Sequence, residues 1–573
     1  MNAGRQKSAL ALAMGLGAMV WQSSSLAGAP PPKEIELAAI GVHRTGAFER
    51  GGSEIAAYDP GTKRVYSVNL QDSQVDVLDI SDPASPTPLA PIDVSQWGSQ
   101  ANSVAVHDGV VAIAIEASPK TNPGKVLFTT PSGDFLSVVT VGALPDMLTF
   151  TPNGQFVLVA NEAEPNSYNQ ADSVDPEGGV SIIDMGNGAS NLTQADVATA
   201  GFGAFNSGPL DASIRTFNGR FGITNTVAQD LEPEYIAVSH DSKTAWVTLQ
   251  ENNAIGILDI QQRQFTKLVG LGFKDHSVTG QGLDSSDRDS HMNNITTRPV
   301  WGMYMPDGIA AFNVEGKTYL ITANEGDVRE WPGLPLNADG EPTEARRVGT
   351  LTLDSTAFPT GATLKGNPVL GRLNVTLANG DTGGDGDFDK LFSFGARSFS
   401  IWNADATQIF DSGDALEQLI SAAYPRTGSL GSQVGWFNAN HNNNTNDQSN
   451  PNNWTHDNRS DDKGPEPEGV TVEKLFGRDF AFIVLERIGG VVVYEVTDPA
   501  NPRFVQYQNT RVFGIAASVG SQPTATTVAA AEDLGPEGVL VIKEEDSPNG
   551  RPLLVVANEV SGTTRIYEIS KDK

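Results

Sequence analysis

The feature of this sequence that most constrains its fold is a repeated pair of short apolar segments. A polar position opens the first segment, and the second segment ends, after a turn, at a residue that is nearly always Glu. Short apolar segments bounded by Gly and Pro are typical of antiparallel strands. The units open at Glu54, Asn102, Asp146, Glu234, Asp307, Glu468 and Glu537. Seven copies of one β unit predict an all-β fold, a β-propeller with seven blades.

The last unit predicts how the ring of blades closes. Three strands are evident there, and an unassigned apolar segment, residues 35–40, lies near the N-terminus. Pairing this N-terminal strand with the last unit would complete a fourth strand and remove an exposed sheet edge. An open stack of sheets is the alternative, but it would need capping ends that the sequence does not show.

The long interval between the fifth and sixth units leaves the number of blades open. Residues 394–402 and 408–411 fit the missing outer strands of the fifth unit, whereas an eighth blade built from residues 388–420 is the alternative. We expect one propeller domain over residues 28–573, with long insertions at about 328–387 and 421–465.

Residues 1–27 have the pattern of a secretion signal. Arg5 and Lys7 precede an apolar run over residues 9–21, and Ser25-Leu26-Ala27 fits a small-residue cleavage site. The run is short for a membrane span, so a retained anchor is the less favoured alternative. We expect cleavage near Ala27, a secreted or periplasmic protein, and no membrane span after cleavage.

The charge balance excludes some functions and favours others. The chain has 38 Lys and Arg against 69 Asp and Glu, a formal charge of -31 and no Cys. Nucleic-acid binding needs a basic surface, so no nucleic-acid partner is expected. Without Cys, an exported chain must be stabilised by packing or bound ions. Neither zinc-ligand spacing nor a phosphate-binding glycine motif is found.

The repeat brings carboxylates to one end of the predicted ring. The first two strands of a unit are antiparallel, so the acidic residue that opens the first lies beside the Glu that closes the second. Crowded carboxylates raise one another's pKa unless a cation lies among them. Hydrogen bonding to backbone N–H groups is the alternative role. The candidate Ca²⁺ ligands at this mouth are Glu162, Glu234, Glu325, Asp327, Glu466, Glu468, Glu537 and Glu559.

A second candidate for Ca²⁺ lies in the first insertion. Asp385, Asp387 and Asp389 alternate with Gly and Phe, as in half of a calcium-binding loop. The Glu at the twelfth position and the flanking helices of an EF-hand are missing, so a hydrated turn is an equal alternative.

Basic residues enter the predicted mouth through the loop before the sixth unit. Arg459 and Lys463 are interleaved there with Asp461 and Asp462. A salt-bridged loop is the plain interpretation. As catalytic candidates, these four residues, with Arg329 and Arg397, could bind an anion and neutralise charge on a phosphoryl group.

Several segments resemble the secreted choice-of-anchor I family. They are residues 51–55, 160–162, 323–327, 394–402, 459–469 and 557–559, and the run 459–469 is the most specific. That family is related to mesenchyme-specific cell-surface glycoproteins and to atypical large alkaline phosphatases. The resemblance implies a propeller outside the cytoplasm and suggests phosphatase activity.

Two functions follow as hypotheses. The first is a secreted calcium-dependent phosphoester hydrolase that acts on a small phosphate ester, with Ca²⁺ polarising the phosphoryl oxygen. The alternative is a non-catalytic propeller that binds cations and a surface or polymer ligand. In either case we expect a monomer.

Overall fold

The computed structural model describes residues 34–289, 293–424, 435–441, 456–514 and 525–572, and strands dominate it. Helical segments are short and lie in the connections. The α-helices are α1 (Val227–Asp230), α2 (Gly361–Leu364), α3 (Ala415–Ala423) and α4 (Ala525–Ala531). Single 3-10 turns span Met185–Asn187, Ala189–Asn191, Gln194–Asp196, Gly203–Phe205 and Val348–Thr350, and a π-helical turn spans Asn367–Gly371. The fold is therefore all-β, as the repeat predicts.

The first four repeat units each form one antiparallel sheet, with strands in chain order. The first contains β2 (Ala56–Asp59), β3 (Arg64–Asn69) and β4 (Gln74–Asp79), with β5 (Thr87–Pro88) and β6 (Ile92–Asp93) both on β4. The second contains β7 (Gln100–His107), β8 (Val110–Glu116), β9 (Pro123–Thr129) and β10 (Phe135–Ala143). The third contains β11 (Pro145–Phe150), β12 (Phe156–Asn161), β13 (Gly179–Asp184) and β14 (Val197–Gly201). The fourth contains β15 (Pro233–Val238), β16 (Thr244–Leu249), β17 (Ala254–Asp259) and β18 (Gln264–Gly270).

The last three units also form one sheet each. The fifth contains β21 (Ile309–Val314), β22 (Lys317–Asn324), β26 (Ser398–Asn403) and β27 (Gln408–Asp411). The sixth contains β28 (Pro467–Leu475), β29 (Arg478–Leu485), β30 (Val491–Glu495) and β31 (Arg503–Gln508). The seventh contains β32 (Pro536–Ile542), β33 (Leu553–Asn558) and β34 (Thr563–Lys571), with β1 (Ile35–Arg44) on its outer edge.

The sheets are arranged as in a β-propeller. The first strands of successive sheets contact one another in the order β2, β7, β11, β15, β21, β28 and β32, and β32 contacts β2. Apolar clusters fill the spaces between neighbouring sheets; one of them joins Leu158 of the third sheet to Val247 of the fourth. The packing of apolar faces between sheets therefore supplies most of the core.

The N-terminal strand pairs as the sequence predicts. Ile35 lies opposite Lys571 and Arg44 opposite Thr563, with one irregularity between Ala39 and Gly41. The side chains of Ile35 and Leu37 are buried in a cluster with residues of the sixth and seventh sheets.

The predicted first insertion, residues 328–387, contributes two strands to an additional sheet. This sheet contains β19 (Phe273–Asp275), β20 (Trp301–Met303), β23 (Ala345–Arg347), β24 (Asn374–Thr376) and β25 (Phe392–Ser393), of which β23 and β24 lie within the insertion. A cluster that includes Leu283, Val348 and Leu370 is its core. Within residues 388–420, β26 pairs with β22 and β27 pairs with β26, so both strands belong to the fifth sheet.

Two sequence predictions fall partly or wholly outside the described residues. The predicted signal, residues 1–27, lies entirely outside them, and the second insertion lies partly outside them. Within the described ranges, no helix has both the length and the apolar character needed to cross a membrane.

Candidate functional site

Proline and a β-bulge place the acidic residue at the start of a blade. Four first strands begin with Pro, a residue whose missing N–H is tolerated at a strand's first position. The pairing register shifts just after each of these prolines, and a bulge of this kind re-aims a side chain. The acidic residues placed in this way are Asp146, Glu234, Glu468 and Glu537.

A buried Asn anchors the end of the second strand in three sheets. Asn161 Nδ2 donates to the Gly179 carbonyl at 3.0 Å, and Asn558 Nδ2 donates to the Thr563 carbonyl at 3.0 Å. Asn324 Nδ2 donates to Ser400 Oγ at 2.8 Å. The Glu that follows each of these Asn residues is thereby held at the same end of the ring. In each Ala-Asn-Glu segment, the Asn side chain therefore stabilises the end of the strand. The Glu side chain is the functional group available at that end of the ring.

These carboxylates meet in groups, which together we call the mouth. In each group three carboxylate oxygens lie within 4.8 Å of one another. The groups are Glu54, Glu537 and Glu559; Glu162, Glu234 and Glu251; Asp307, Glu325 and Glu468; and Glu325, Glu466 and Glu486. A cavity of about 250 Å³ opens beside them and is lined by Glu54, Glu116, Asp146, Glu162, Asp307 and Glu537.

Burial and mutual repulsion make these carboxyl groups hard to ionise. Burial, with the charges of Glu164 and Glu116, raises the pKa of Asp146 to about 7. Burial and the charge of Asp327 raise the pKa of Glu251 to about 8. The pKa values of Glu162, Glu234, Glu468, Glu486, Glu537 and Glu54 are also raised well above the usual range, by burial first and neighbouring carboxylates second. Such groups hold a proton or a cation.

Several carboxylate oxygens at the mouth have no hydrogen-bond partner among the described residues. They are the Oε2 atoms of Glu234, Glu251, Glu468, Glu486 and Glu537. Glu234 and Glu251 are 8% and 4% exposed, so bulk water reaches them poorly. A buried polar atom without a partner is costly, which points to a ligand at this position.

The protein's own cations neutralise one side of the mouth. Lys463 Nζ contacts Glu325 and lies 3.4 Å from Glu466 Oε2. Arg459 Nε lies 2.6 Å from Glu466 Oε1, and Arg487 NH1 lies 2.9 Å from Glu486 Oε1. Burial alone would raise the pKa of Glu466, but Arg459, Lys463 and Arg487 together lower it well below its usual range.

The other side of the mouth has no such compensation. In the part of the chain that the structure describes, no ion pair involves Glu54, Glu537, Glu559, Glu162, Glu234 or Glu251. We call these two groups the uncompensated triads. They are the positions where a cation would gain most, because no ion pair within the described residues neutralises their three carboxylates.

The predicted catalytic aspartates are held in ion pairs. Asp461 Oδ2 lies 2.8 Å from Arg347 NH1 and 2.8 Å from Arg372 NH2. Asp462 Oδ2 lies 2.8 Å from Arg459 NH1. The plain interpretation of this segment, a salt-bridged loop, describes its geometry.

Arg329 and Arg397 are not presented to the mouth. The Arg329 guanidinium lies 2.5 Å from Asp230 and 2.7 Å from Glu232, and its side chain is 2% exposed. The Arg397 guanidinium, equally buried, lies 2.7 Å from Glu417 Oε1 and also donates to backbone carbonyls. Both cations are enclosed with carboxylates of the protein, which the sequence pattern could not reveal.

The remaining predicted ligands are dispersed. Asp385, Asp387 and Asp389 belong to none of the carboxylate groups at the mouth and lie in an exposed turn. Asp389 Oδ2 accepts a bond from the Thr382 N–H at 2.9 Å, so this oxygen is engaged within the turn. Asp327 stands at the edge of the mouth, with Oδ1 3.8 Å from Lys463 Nζ.

Arg487 is a site residue that sequence reasoning missed. It follows the closing Glu486 directly, and its guanidinium reaches both Glu466 and Glu486. The sequence contains a signal for it. The residue that follows the closing position of the second strand is basic in the sixth unit and in no other unit.

Comparison with known proteins gives a family and distant relatives. The profile of the choice-of-anchor I domain matches residues 54–499. Gigasin-3a of Magallana gigas is 29% identical over 203 residues, 35% of this chain and 65% of that protein. The mesenchyme-specific cell surface glycoprotein of Strongylocentrotus purpuratus is 25% identical over 297 residues, 48% of this chain and 36% of that protein. The chain therefore spans less than two thirds of the length of these relatives.

A solved structure is also similar. The WD40 domain of coronin from Toxoplasma gondii is 8% identical, with a TM-score of 0.43. The match covers 95% of this chain and 88% of that domain.

Proposed function

This chain belongs to the choice-of-anchor I family, and we propose that it is a non-catalytic propeller that binds Ca²⁺ at its mouth and acts as an extracellular binding scaffold. The observation that carries the proposal is the pair of uncompensated triads. Each places three carboxylate oxygens within 4.8 Å of one another, and Glu234, Glu251 and Glu537 each have an oxygen there without a partner in the described part of the chain.

Ca²⁺ suits the chemistry of these groups. It takes six to eight oxygen ligands in flexible geometry, and carboxylates are favoured among them. Mg²⁺ keeps much of its water and demands stricter geometry, so a triad of Glu side chains fits Ca²⁺ better. A Ca²⁺ ion whose coordination positions are not all occupied by the triad could bind the acidic groups of a surface or polymer.

The placement of the basic residues favours a scaffold over a hydrolase. Arg459 and Lys463, the cations expected to neutralise a phosphoryl group, are engaged by Glu466 and Glu325. A phosphate ester would have to displace these carboxylates from a buried position, which is costly.

A location outside the cytoplasm completes the proposal. The signal-like pattern of residues 1–27 supports it, as does similarity to a protein named for the cell surface. N-terminal sequencing of the exported protein tests it, and we expect the mature chain to begin at Gly28.

We also infer a closed ring of seven blades. The contact of β32 with β2, and the pairing of β1 with β34, support closure. The placement of β26 and β27 in the fifth sheet supports seven blades over eight.

Calcium titration of the metal-stripped full chain tests the mouth. Glu537→Gln should weaken the tightest mouth binding by about tenfold or more, because it removes one charged ligand. Glu545→Gln is the matched control, since Glu545 is exposed beyond the other end of the same strand. Calcium binding that is equal in both variants and the wild type would refute the site.

A panel of phosphate esters tests the non-catalytic part. We expect no turnover above a protein-free blank with Ca²⁺ present. Turnover that Arg459→Ala abolishes, with folding intact, would instead establish the hydrolase.

A further inference from the structure

A second cavity lies between the outer strands of the first and second sheets. Its volume is about 320 Å³, and its lining residues include Asp93 of β6, Thr129 of β9 and Phe135 of β10. It shares no described lining residue with the cavity at the mouth. Sites for small ligands have this size and combine apolar walls with a few polar groups. The repeated carboxylates take no part in it, so a different kind of ligand is expected.

An aromatic pair forms one wall of this cavity. The rings of Trp97 and Phe135 are stacked, with centroids 5.5 Å apart and planes inclined by 16°. Trp97 packs against the apolar core between the two sheets, and Lys125 Nζ donates to its carbonyl at 2.8 Å. Phe135 is 56% exposed. A large ring that stays in water while its partner is anchored offers a flat apolar face to a ligand.

A buried hydroxyl group without a partner lines the same cavity. Side chains alternate between the two faces of a strand, so Thr129 lies on the same face of β9 as Leu127, which packs in the core toward the first sheet. Thr129 is 1% exposed, and its Oγ1 has no hydrogen-bond partner in the described part of the chain. A Val side chain would fill this position without an unpaired hydroxyl, so the Thr indicates a polar ligand.

The other polar groups of the lining suit hydroxyl groups better than charges. Asp93 is exposed, and hydrogen bonds from Ser95 lower its pKa, so it is an ionised acceptor at neutral pH. The side-chain amide of Gln96 can donate and accept. Among the described residues that line the cavity, none is cationic. An anionic ligand would therefore meet the charge of Asp93 without a counter-charge.

The edge strand beside the cavity is closed to an added peptide strand. Gln194 Oε1 accepts a bond from the Thr140 N–H at 3.0 Å, and Gln194 Nε2 donates to the Thr140 carbonyl at 2.9 Å. Thr140 lies in the middle of β10, the outer strand of the second sheet. A peptide that extends a sheet needs the free backbone groups of such an edge. This geometry favours a ligand that has no peptide backbone.

We propose that this cavity binds a sugar residue of a neutral saccharide chain. The C–H groups on one face of the sugar ring would pack on the exposed ring of Phe135. The sugar hydroxyl groups would donate to Asp93, exchange bonds with Gln96 and supply the partner that Thr129 lacks. The site is independent of Ca²⁺ at the mouth, and it would give the propeller a ligand on the outer strands of two blades.

Titration of the full chain with neutral oligosaccharides in EDTA tests this proposal. The probes are oligomers of glucose, of mannose and of N-acetylglucosamine, and calorimetry measures their binding. We expect at least one series to bind, and Phe135→Ala to weaken its binding by about tenfold or more, because aromatic anchors carry much of the energy of a binding site. Asp93→Asn, which keeps the shape and removes the charge, should also weaken it.

Phe504→Ala is the matched control for the loss of an exposed ring. Phe504 is 42% exposed on the outer strand of the sixth sheet, and its ring contacts that of Tyr494 with centroids 5.7 Å apart. It should bind the oligosaccharide as the wild type does. Glu537→Gln, the mouth variant, should also bind it normally, whereas Phe135→Ala should keep the wild-type affinity for Ca²⁺.

Each contrary outcome is distinct from a failure at the mouth. Absence of binding for all three series would overturn the saccharide site, and so would equal affinity in the wild type and Phe135→Ala. If Phe135→Ala does not fold, Asp93→Asn decides in the same way. Tighter binding of sulfated or uronic-acid oligosaccharides, or of proline-rich peptides, in parallel titrations would assign the cavity to another class of ligand and overturn the proposal as well.

Discussion

At the residue scale, Lys463 acts as a tethered cation. Its ammonium group occupies the space between Glu325 and Glu466, where a divalent ion would otherwise find several carboxylates. The carboxylates raise the pKa of Lys463 well above its usual range despite burial, so the side chain stays charged. The mouth therefore has one side neutralised by the chain and one side whose carboxylates have no ion pair within the described residues.

We expect Lys463→Met to destabilise the metal-free protein by about 3–5 kcal/mol, because it leaves buried carboxylates without a counter-charge. Added Ca²⁺ should recover part of this loss and bind with one additional equivalent. Urea unfolding in EDTA and in Ca²⁺ measures both effects.

Lys543→Met is the control for that experiment. Lys543 lies 3.4 Å from Glu473 in an exposed pair, and exposed pairs contribute little. Equal midpoints for the two variants in EDTA would contradict the role given to Lys463.

His276 should contribute to acid sensitivity. Burial and the charges of Lys274 and Arg397 lower its pKa from 6.5 to about 3. Its folded-state pKa lies below the unfolded value, so its contribution is full above pH 6.5 and is lost toward pH 3, at about 1.4 kcal/mol per pH unit. His276→Gln should flatten the fall in stability over that range.

Urea unfolding between pH 4 and 7 measures this slope. His240→Gln, at an exposed position, is the control and should leave it unchanged. A slope as steep in His276→Gln as in the wild type would show that other groups determine the acid limit.

At the element scale, the sequence predicts the strands of the repeat units better than the short strands of the additional sheet. The inner strands and β1, which pairs with β34, are long enough for apolar alternation to identify them. The additional sheet is missed because its strands have two or three residues each and pair across long intervals, as Trp301 does with Phe392. No local pattern marks such pairings.

The candidate site was also predictable only in part, namely for the residues at repeat positions. Repeat position alone places Glu234 and Glu537 at the mouth, since antiparallel pairing fixes which strand ends meet. The partners of Arg329 and Arg397 were not predictable, because Asp230 and Glu417 lie in connections outside the repeat.

The N-terminal strand should be needed for stability. Ile35 and Leu37 bury their side chains against the sixth and seventh sheets. The double substitution Ile35→Ala and Leu37→Ala should lower the free energy of unfolding by about 4–8 kcal/mol, since each truncation leaves a cavity. Thermal unfolding measures the loss.

Glu36→Ala is the control on the same strand, because its side chain faces solvent. If the double variant unfolds at the same temperature as Glu36→Ala, β1 does not stabilise the fold.

At the scale of the whole molecule, part of the acidic excess lies where dissolved salt screens it poorly. The formal charge is -31, and eleven of the 69 acidic residues belong to the carboxylate groups at the mouth. At 0.1 M, dissolved salt screens the interaction between exposed charges that are more than about 10 Å apart. It screens buried charges much less. A specifically bound ion would therefore compensate this charge more effectively than dissolved salt.

We expect the thermal midpoint of the full chain to fall in EDTA and to rise in millimolar Ca²⁺. An ion that binds only the folded state adds about 2.7 kcal/mol at a hundredfold excess over Kd. NaCl at matched ionic strength should give a smaller rise, because screening does not reach the buried triads. Scanning calorimetry in EDTA, Ca²⁺, Mg²⁺ and NaCl makes the comparison. Equal midpoints in EDTA and Ca²⁺ would mean that protons, not metal ions, neutralise the mouth, because raised pKa values allow the carboxyl groups to stay protonated.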